Sequence, residues 1–103
     1  MKFGPFVLQH NDAHPHLDCQ VIERTLREAE LADQLGYDVL WLGEHHFAGS
    51  EVFADPVAFG TAVAVRTKRI KIGFAIVQIS LHHPVRLAVQ TALLDNLSQP
   101  RTI

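Results

Sequence analysis

The chain has 103 residues, enough for one compact domain. A net charge of -2 offers nothing to attract a polyanion, which argues against nucleic acid as a partner, and the 48% apolar content favours a packed core over disorder. No run of about 18 apolar residues suggests a membrane span.

Residues 2–8 (KFGPFVL) read as a first strand. Pro5 has no N–H and counts against a central position. Residues 9–17 are polar, carry His10, His14 and His16, and read as a loop. Asp18 is the expected N-cap of a helix over residues 19–35, whose Ile22, Leu26, Ala29, Ala32 and Leu35 recur at steps of three and four. Glu23 with Arg27 and Arg24 with Glu28 are i,i+4 pairs on its wet side, and Gly36 ends it.

Residues 38–43 are apolar in succession, which predicts a strand buried on both faces, as in a parallel sheet. After a polar loop with Gly49 and Ser50, Asp55-Pro56 supplies the N-cap and first turn of a helix over residues 56–66. Residues 70–79 (IKIGFAIVQI) read as a third strand. His83-Pro84 opens a third helix that runs to about Asn96, and residues 97–100 break it. Arg101 to Ile103 start a fourth strand.

Alternating βα units mean an α/β fold with parallel strands and helices outside them. Two closures fit: a small doubly wound domain, or the N-terminal portion of a TIM (β/α)8 barrel. A whole barrel takes at least about 200 residues, so residues 1–103 would be an N-terminal segment of about three of its eight units. The sequence has no G-x-G-x-x-G and no G-x-x-x-x-G-K-[ST], which weighs against a nucleotide-binding doubly wound domain.

In such folds the chemistry sits beyond the carboxyl ends of the strands. Gln9, His10, Asn11 and Asp12 follow the first strand. Glu44, His45 and His46 follow the second, and Gln78, Ser80, His82 and His83 follow the third. Neutral imidazole accepts a proton near pH 7, so the histidines are candidate bases. Adjacent strand residues point to opposite faces, so His45 and His46 are expected to divide into one site group and one packed group. An ion pair or a cap contact would account for Glu44 almost as well. His83 is expected to cap the third helix, and His82 is grouped with it as structural. Arg66, Lys68, Arg69 and Lys71 lie at the opposite, stability end and read as solvated charge. A metal centre built from Glu44, His45 and His82 or His83 is disfavoured, because adjacent histidines do not offer the alternating ligands usual on one strand face; no metal is expected.

Four segments, MKFGPFVL (1–8), LGYDVLWLGEHHF (35–47), TKRIKIGFAIV (67–77) and HPVRLAVQTALLDNLS (83–98), come in an order and spacing that resemble the N-terminal part of the bacterial-luciferase-like, flavin-dependent monooxygenases. The resemblance implies a barrel that binds reduced FMN, or in some branches reduced F420, in its mouth. It implies an enzyme that uses FMN and O2 to oxygenate a small organic substrate such as an aldehyde, with a flavin reductase as supplier and a homo- or heterodimeric assembly. It makes His45 the catalytic base, supported by His46. It puts Glu44 near the flavin and a non-prolyl cis peptide, Ala75–Ile76, beneath the flavin ring. The family dimers pack through the second and third helices, and Ala58, Gly60, Ala62 and Ala64 would allow close approach there or against the chain's own strands. The chain departs from the family at Gln99-Pro100, where Gly-Gly usually precedes the arginine. The family's flavin-phosphate residues lie beyond Ile103.

An F420-dependent hydride-transfer enzyme of the same fold is one alternative, with the histidine handling an alcohol proton. A truncated, non-catalytic product is another: three βα units leave open edges that invite self-association, so the 103-residue chain alone is expected to show no flavin turnover. With one cysteine, Cys19, and no leader-like opening, the expected location is cytoplasmic.

Overall fold

The structure, a computed structural model, describes residues 1–7, 17–47 and 52–103. The expectations for Leu8, for the loop with His10, His14 and His16, and for Gly49-Ser50 lie outside these residues. Strand β1 (Phe6–Val7) is followed by helix α1 (Asp18–Leu35), strand β2 (Val39–Leu42), helix α2 (Pro56–Arg66), strand β3 (Lys71–Phe74) and helix α3 (Pro84–Ser98).

The strands are parallel and lie in the order β1-β2-β3. Thr102 adds a parallel bridge to Ile72, on the free side of β3. Each unit therefore lies beside the one before it, with no reversal of strand order. That is the arrangement of successive units of a (β/α)8 barrel; a doubly wound sheet would turn back after its first strands.

β1 is shorter than residues 2–8 because of Pro5. The Phe3 and Pro5 carbonyls accept the Asp38 and Trp41 N–H groups, both at 2.9 Å, so the chain does run beside β2. Pro5 has no N–H to return, and a regular ladder survives for two residues only.

Helix α1 starts one residue earlier than expected. Leu17 occupies the N-cap position with no side-chain hydrogen bond, and Asp18 is the first helical residue. A carboxylate is favourable at either position, since both face the positive end of the helix. Gly36 ends α1 in the left-handed conformation at φ 81°, and the Tyr37 N–H reaches back to the Ala32 carbonyl at 3.1 Å. Helix α2 has the expected bounds: the Asp55 carboxylate accepts the Val57 and Ala58 N–H groups, each at 3.0 Å, and Pro56 fills the first turn. β3 stops at Phe74, well short of Ile79; residues 79–81 form a 3-10 turn. Helix α3 runs to Ser98, two residues beyond Asn96, and ends where Gln99 turns to φ 55°.

Helix side chains Leu26, Ala29, Ala32, Val57, Phe59, Val63 and Leu94 bury one face of the sheet together with Leu40, Leu42, Ile70 and Ile72. The expected burial of β2 on both faces is met by Leu40 and Leu42 on this side and by Val39 on the other. On the other face Trp41, opposite Gly73 in the register, is half-buried, and Phe6 beside it is half-exposed. Gly60 sits against Leu94, Ile72 and Leu42, where a Cβ would stand 3.3–3.4 Å from their methyl groups. Gly60 and the buried Ala64 thus serve the chain's own packing.

The basic cluster is more than solvated charge. Arg66 bonds Glu30 at 2.7 Å and Glu23 at 2.8 Å, tying α2 to α1. Hydrogen bonds from Arg66 and Arg27 hold the Glu23 carboxyl down to about 2. Buried Asp33 accepts the backbone N–H groups of Lys68 (3.0 Å), Arg69 (2.9 Å) and Ile70 (2.6 Å) and so fixes the turn into β3. Arg101 donates to the carbonyls of Ser98, Ile70, Ala64 and Thr67 and to the Thr67 hydroxyl, locking the chain after α3 onto α2 and β3.

Candidate functional site

Parallel pairing brings the carboxyl ends of β2 and β3 side by side: Leu42 pairs with Phe74, and the Ala75 N–H donates to the Leu42 carbonyl at 2.8 Å. The residues that follow each strand therefore meet. After β2 come Gly43 and Glu44, both buried, then His45, exposed, and His46, half-buried. After β3 come the cis peptide Ala75–Ile76 and the turn that carries Gln78 and His82. The cis bond stands where the resemblance implies one.

Glu44 is the centre of this junction. It is 3% exposed, and both of its carboxylate oxygens are hydrogen-bonded. One oxygen, Oε1, meets His46 Nε2 at 2.6 Å and His82 Nε2 at 2.9 Å. The other, Oε2, accepts the Gln78 backbone N–H at 2.7 Å, and the Gln78 side-chain amide donates to the Glu44 carbonyl at 3.1 Å. Burial by itself would raise the carboxyl's pKa. The hydrogen bonds from His46, Gln78 and His82 outweigh that and hold it below the ordinary carboxylate range. Glu44 is thus an anion at neutral pH, and it fastens the loop after β2 to the turn after β3.

The adjacent histidines lie beyond the end of β2 and take different surroundings. His46 turns in to Glu44, with the Phe47 ring tilted beside it at 5.9 Å between centroids. His45 is exposed and has no hydrogen-bond partner among the described residues. Phe47 is fully exposed, with its backbone in the left-handed region at φ 60°.

His82, which the sequence groups with His83 as structural, closes its ring on Glu44 across 38 positions of sequence. His83 does take the N-cap position of α3, but without a side-chain cap bond. The available signal was position: Pro84 explains a capping role for His83 alone, whereas His82 belongs to the rim beyond β3. Gln78 was placed on that rim, but its double hold on Glu44 has no sequence signature. Ala75 and Ile76, between the end of β3 and Gln78, are both exposed, Ile76 at 67%. Ser80, exposed in the same turn, makes no bond to the cluster.

Both imidazoles aim at one carboxylate oxygen, which is hydrogen-bond geometry. Among the described residues no group of three His, Cys, Asp or Glu side chains is arranged to hold a metal ion, and no helix is long and apolar enough to cross a membrane.

Comparison with known proteins points the same way as the fold. The sequence model of the family described as luciferase-like monooxygenase matches residues 1–103. Limonene 1,2-monooxygenase of Rhodococcus erythropolis is 45% identical over 103 residues, which is all of this chain and 26% of that protein. A monooxygenase of Streptomyces bottropensis superposes with a TM-score of 0.88 at 38% identity, covering 99% of this chain and 31% of that one. The oxygenating constituent of 3,6-diketocamphane monooxygenase from Pseudomonas putida, a type II Baeyer-Villiger enzyme solved with FMN, gives a TM-score of 0.87 at 23% identity, a likeness of fold, over all of this chain and 28% of that one. The chain spans between a quarter and a third of the length of these proteins.

Proposed function

The chain belongs to the luciferase-like monooxygenase family, and on that premise we propose that the whole protein carrying it is a flavin-dependent monooxygenase. In this reading it uses reduced FMN and O2 to oxygenate a small organic molecule. The observation that carries the proposal is the junction at the carboxyl ends of β2 and β3, where the exposed apolar residues Ala75 and Ile76 follow one strand and a buried carboxylate holding two imidazoles follows the other.

The residues present fit a flavin's ring system. Such a ring is flat and largely apolar, with hydrogen-bonding groups along one edge. Ala75 and Ile76 offer the apolar support, and Glu44, His46 and His82 put charge and proton-holding groups alongside it. The bound flavin would supply the electrons that activate O2.

This chain's residues would manage protons and water. His45, exposed at the rim, is the proposed proton acceptor for the reacting group. His46, fastened to Glu44, supports it from the packed side. Ile79, exposed in the turn after β3, would help keep water from the reacting atoms once the site is closed.

An aldehyde is the proposed substrate class; limonene and 3,6-diketocamphane, named for the relatives, make other small apolar molecules the comparison set. A partner reductase supplying reduced flavin and a homo- or heterodimeric assembly complete the proposal.

Titrating the whole protein with FMN and with F420, and following O2 uptake on adding candidate substrates, tests it. FMN binding with substrate-dependent O2 uptake is expected. Preference for F420 without O2 uptake would favour hydride transfer instead, and failure to bind either cofactor would sink the flavin reading.

A further inference from the structure

Glu44 does more than anchor a loop, because of what its carboxylate requires of the rings that touch it. An ionised carboxylate accepts hydrogen bonds and has none to give. Its Oε1 lies 2.6 Å from His46 Nε2 and 2.9 Å from His82 Nε2, so both of those nitrogens must carry hydrogen. A neutral imidazole has one N–H. With that hydrogen on Nε2, each ring keeps a bare Nδ1, and neither Nδ1 has a hydrogen-bond partner among the described residues. The two rings come from different strand ends, β2 and β3, and the Gln78 N–H on Oε2 keeps the carboxylate from turning away.

We propose that Glu44 is a positioning residue that holds His46 and His82 together as Nε2–H tautomers, so that each presents Nδ1 as a proton acceptor at the strand-end rim. His82 thereby joins the proton-handling group, as a second imidazole oriented by the same oxygen. The part this pair plays in turnover rests on the monooxygenase reading; the tautomers do not.

The test is nitrogen NMR of the whole protein, free of flavin, with the histidine rings labelled with 15N and the pH high enough that both are neutral. Signals of the two rings are assigned by their loss in His46→Gln and His82→Gln. Both rings are expected to carry their hydrogen on Nε2. In Glu44→Gln the side chain has one accepting oxygen and one amide that only donates, and because both rings face the one position held by Oε1, both meet the same group. The two rings are therefore expected to respond together, both staying Nε2–H where the oxygen faces them and both moving their hydrogen to Nδ1 where the amide does. A ring found with its hydrogen on Nδ1 in the unsubstituted protein overturns the proposal, and so does a Glu44→Gln protein in which one ring moves its hydrogen and the other does not. Should that variant fail to fold, the unsubstituted protein decides alone. Because no flavin is present, loss of the flavin reading would leave this result standing.

Discussion

Two buried carboxylates set the ends of this sheet, and both are charged for the same reason. Asp33 at the amino end is pushed upward by burial and pulled down further by the N–H groups of Lys68, Ile70 and Arg69, leaving its pKa below the ordinary value. Glu44 at the carboxyl end follows the same balance with His46, Gln78 and His82. In each the folded pKa is lower than the unfolded one, which lies at about 3.9 for Asp and about 4.3 for Glu. Their contribution to stability is therefore complete above about pH 5, and it is lost as pH falls through about 4 toward the folded values. Denaturant midpoints of the protein should be flat from pH 7 to about 5 and drop below 4. In Asp33→Asn the amide cannot accept from all three N–H groups, one of them on the buried Ile70. That variant should lose roughly 1–3 kcal/mol at neutral pH and show a shallower acid drop. An unchanged midpoint at pH 7 would mean that the turn into β3 is held by other contacts.

At the scale of elements, the ends of the helices decide how the strands meet. Gln99 closes α3 at φ 55°, a conformation that costs an L-residue about 1–2 kcal/mol and costs glycine little. Gln99→Gly should raise stability by about 0.5–1 kcal/mol, the relief being partly offset by the greater freedom of glycine in the unfolded chain. A fall in melting temperature would show that the Gln99 side chain makes a compensating contact. Local chemistry of this kind was readable in advance where one residue type admits one solution: Asp55-Pro56 set the start of α2 and Gly36 the end of α1. It failed where a long-range partner decided. The stretch from Phe3 to Pro5 runs beside β2, but Pro5 halves its ladder. β3 ends before the cis Ala75–Ile76 bond, although the apolar run continues to Ile79. The candidate site divides in the same way. Glu44, His45 and His46 were visible as polar residues at a strand end, whereas which of the two histidines turns in to Glu44 is decided by the loop beyond β2. His82 was hidden because its role depends on which strand lies next to which, and Asp33 because three backbone N–H groups leave no mark in sequence.

Across the whole molecule, one face of the sheet is closed by helices and the other is open. Trp41 over Gly73, with Phe6 beside it, faces away from the three helices, and the rim beyond the strands carries the charged junction. Arg101 and Thr102 extend the same sequential order past β3. The two ends hold different contacts: below, Arg66 ties α2 to α1 while Asp33 and Arg101 hold the chain on either side of β3, and above, Glu44 gathers imidazoles. Relatives of this family are three to four times longer than the chain, so the account stands or falls on what the rim does in the whole protein. The most direct measurement is substrate-dependent oxygenation by that protein with His45 intact and with His45→Ala. His45 is exposed and unbonded among the described residues, so its removal should leave the melting temperature and FMN affinity nearly unchanged. The oxygenation rate should fall by about 10²- to 10⁴-fold, the range usual for loss of a positioned proton acceptor. A variant that oxygenates its substrate at the original rate would contradict the assignment of proton handling to this strand end.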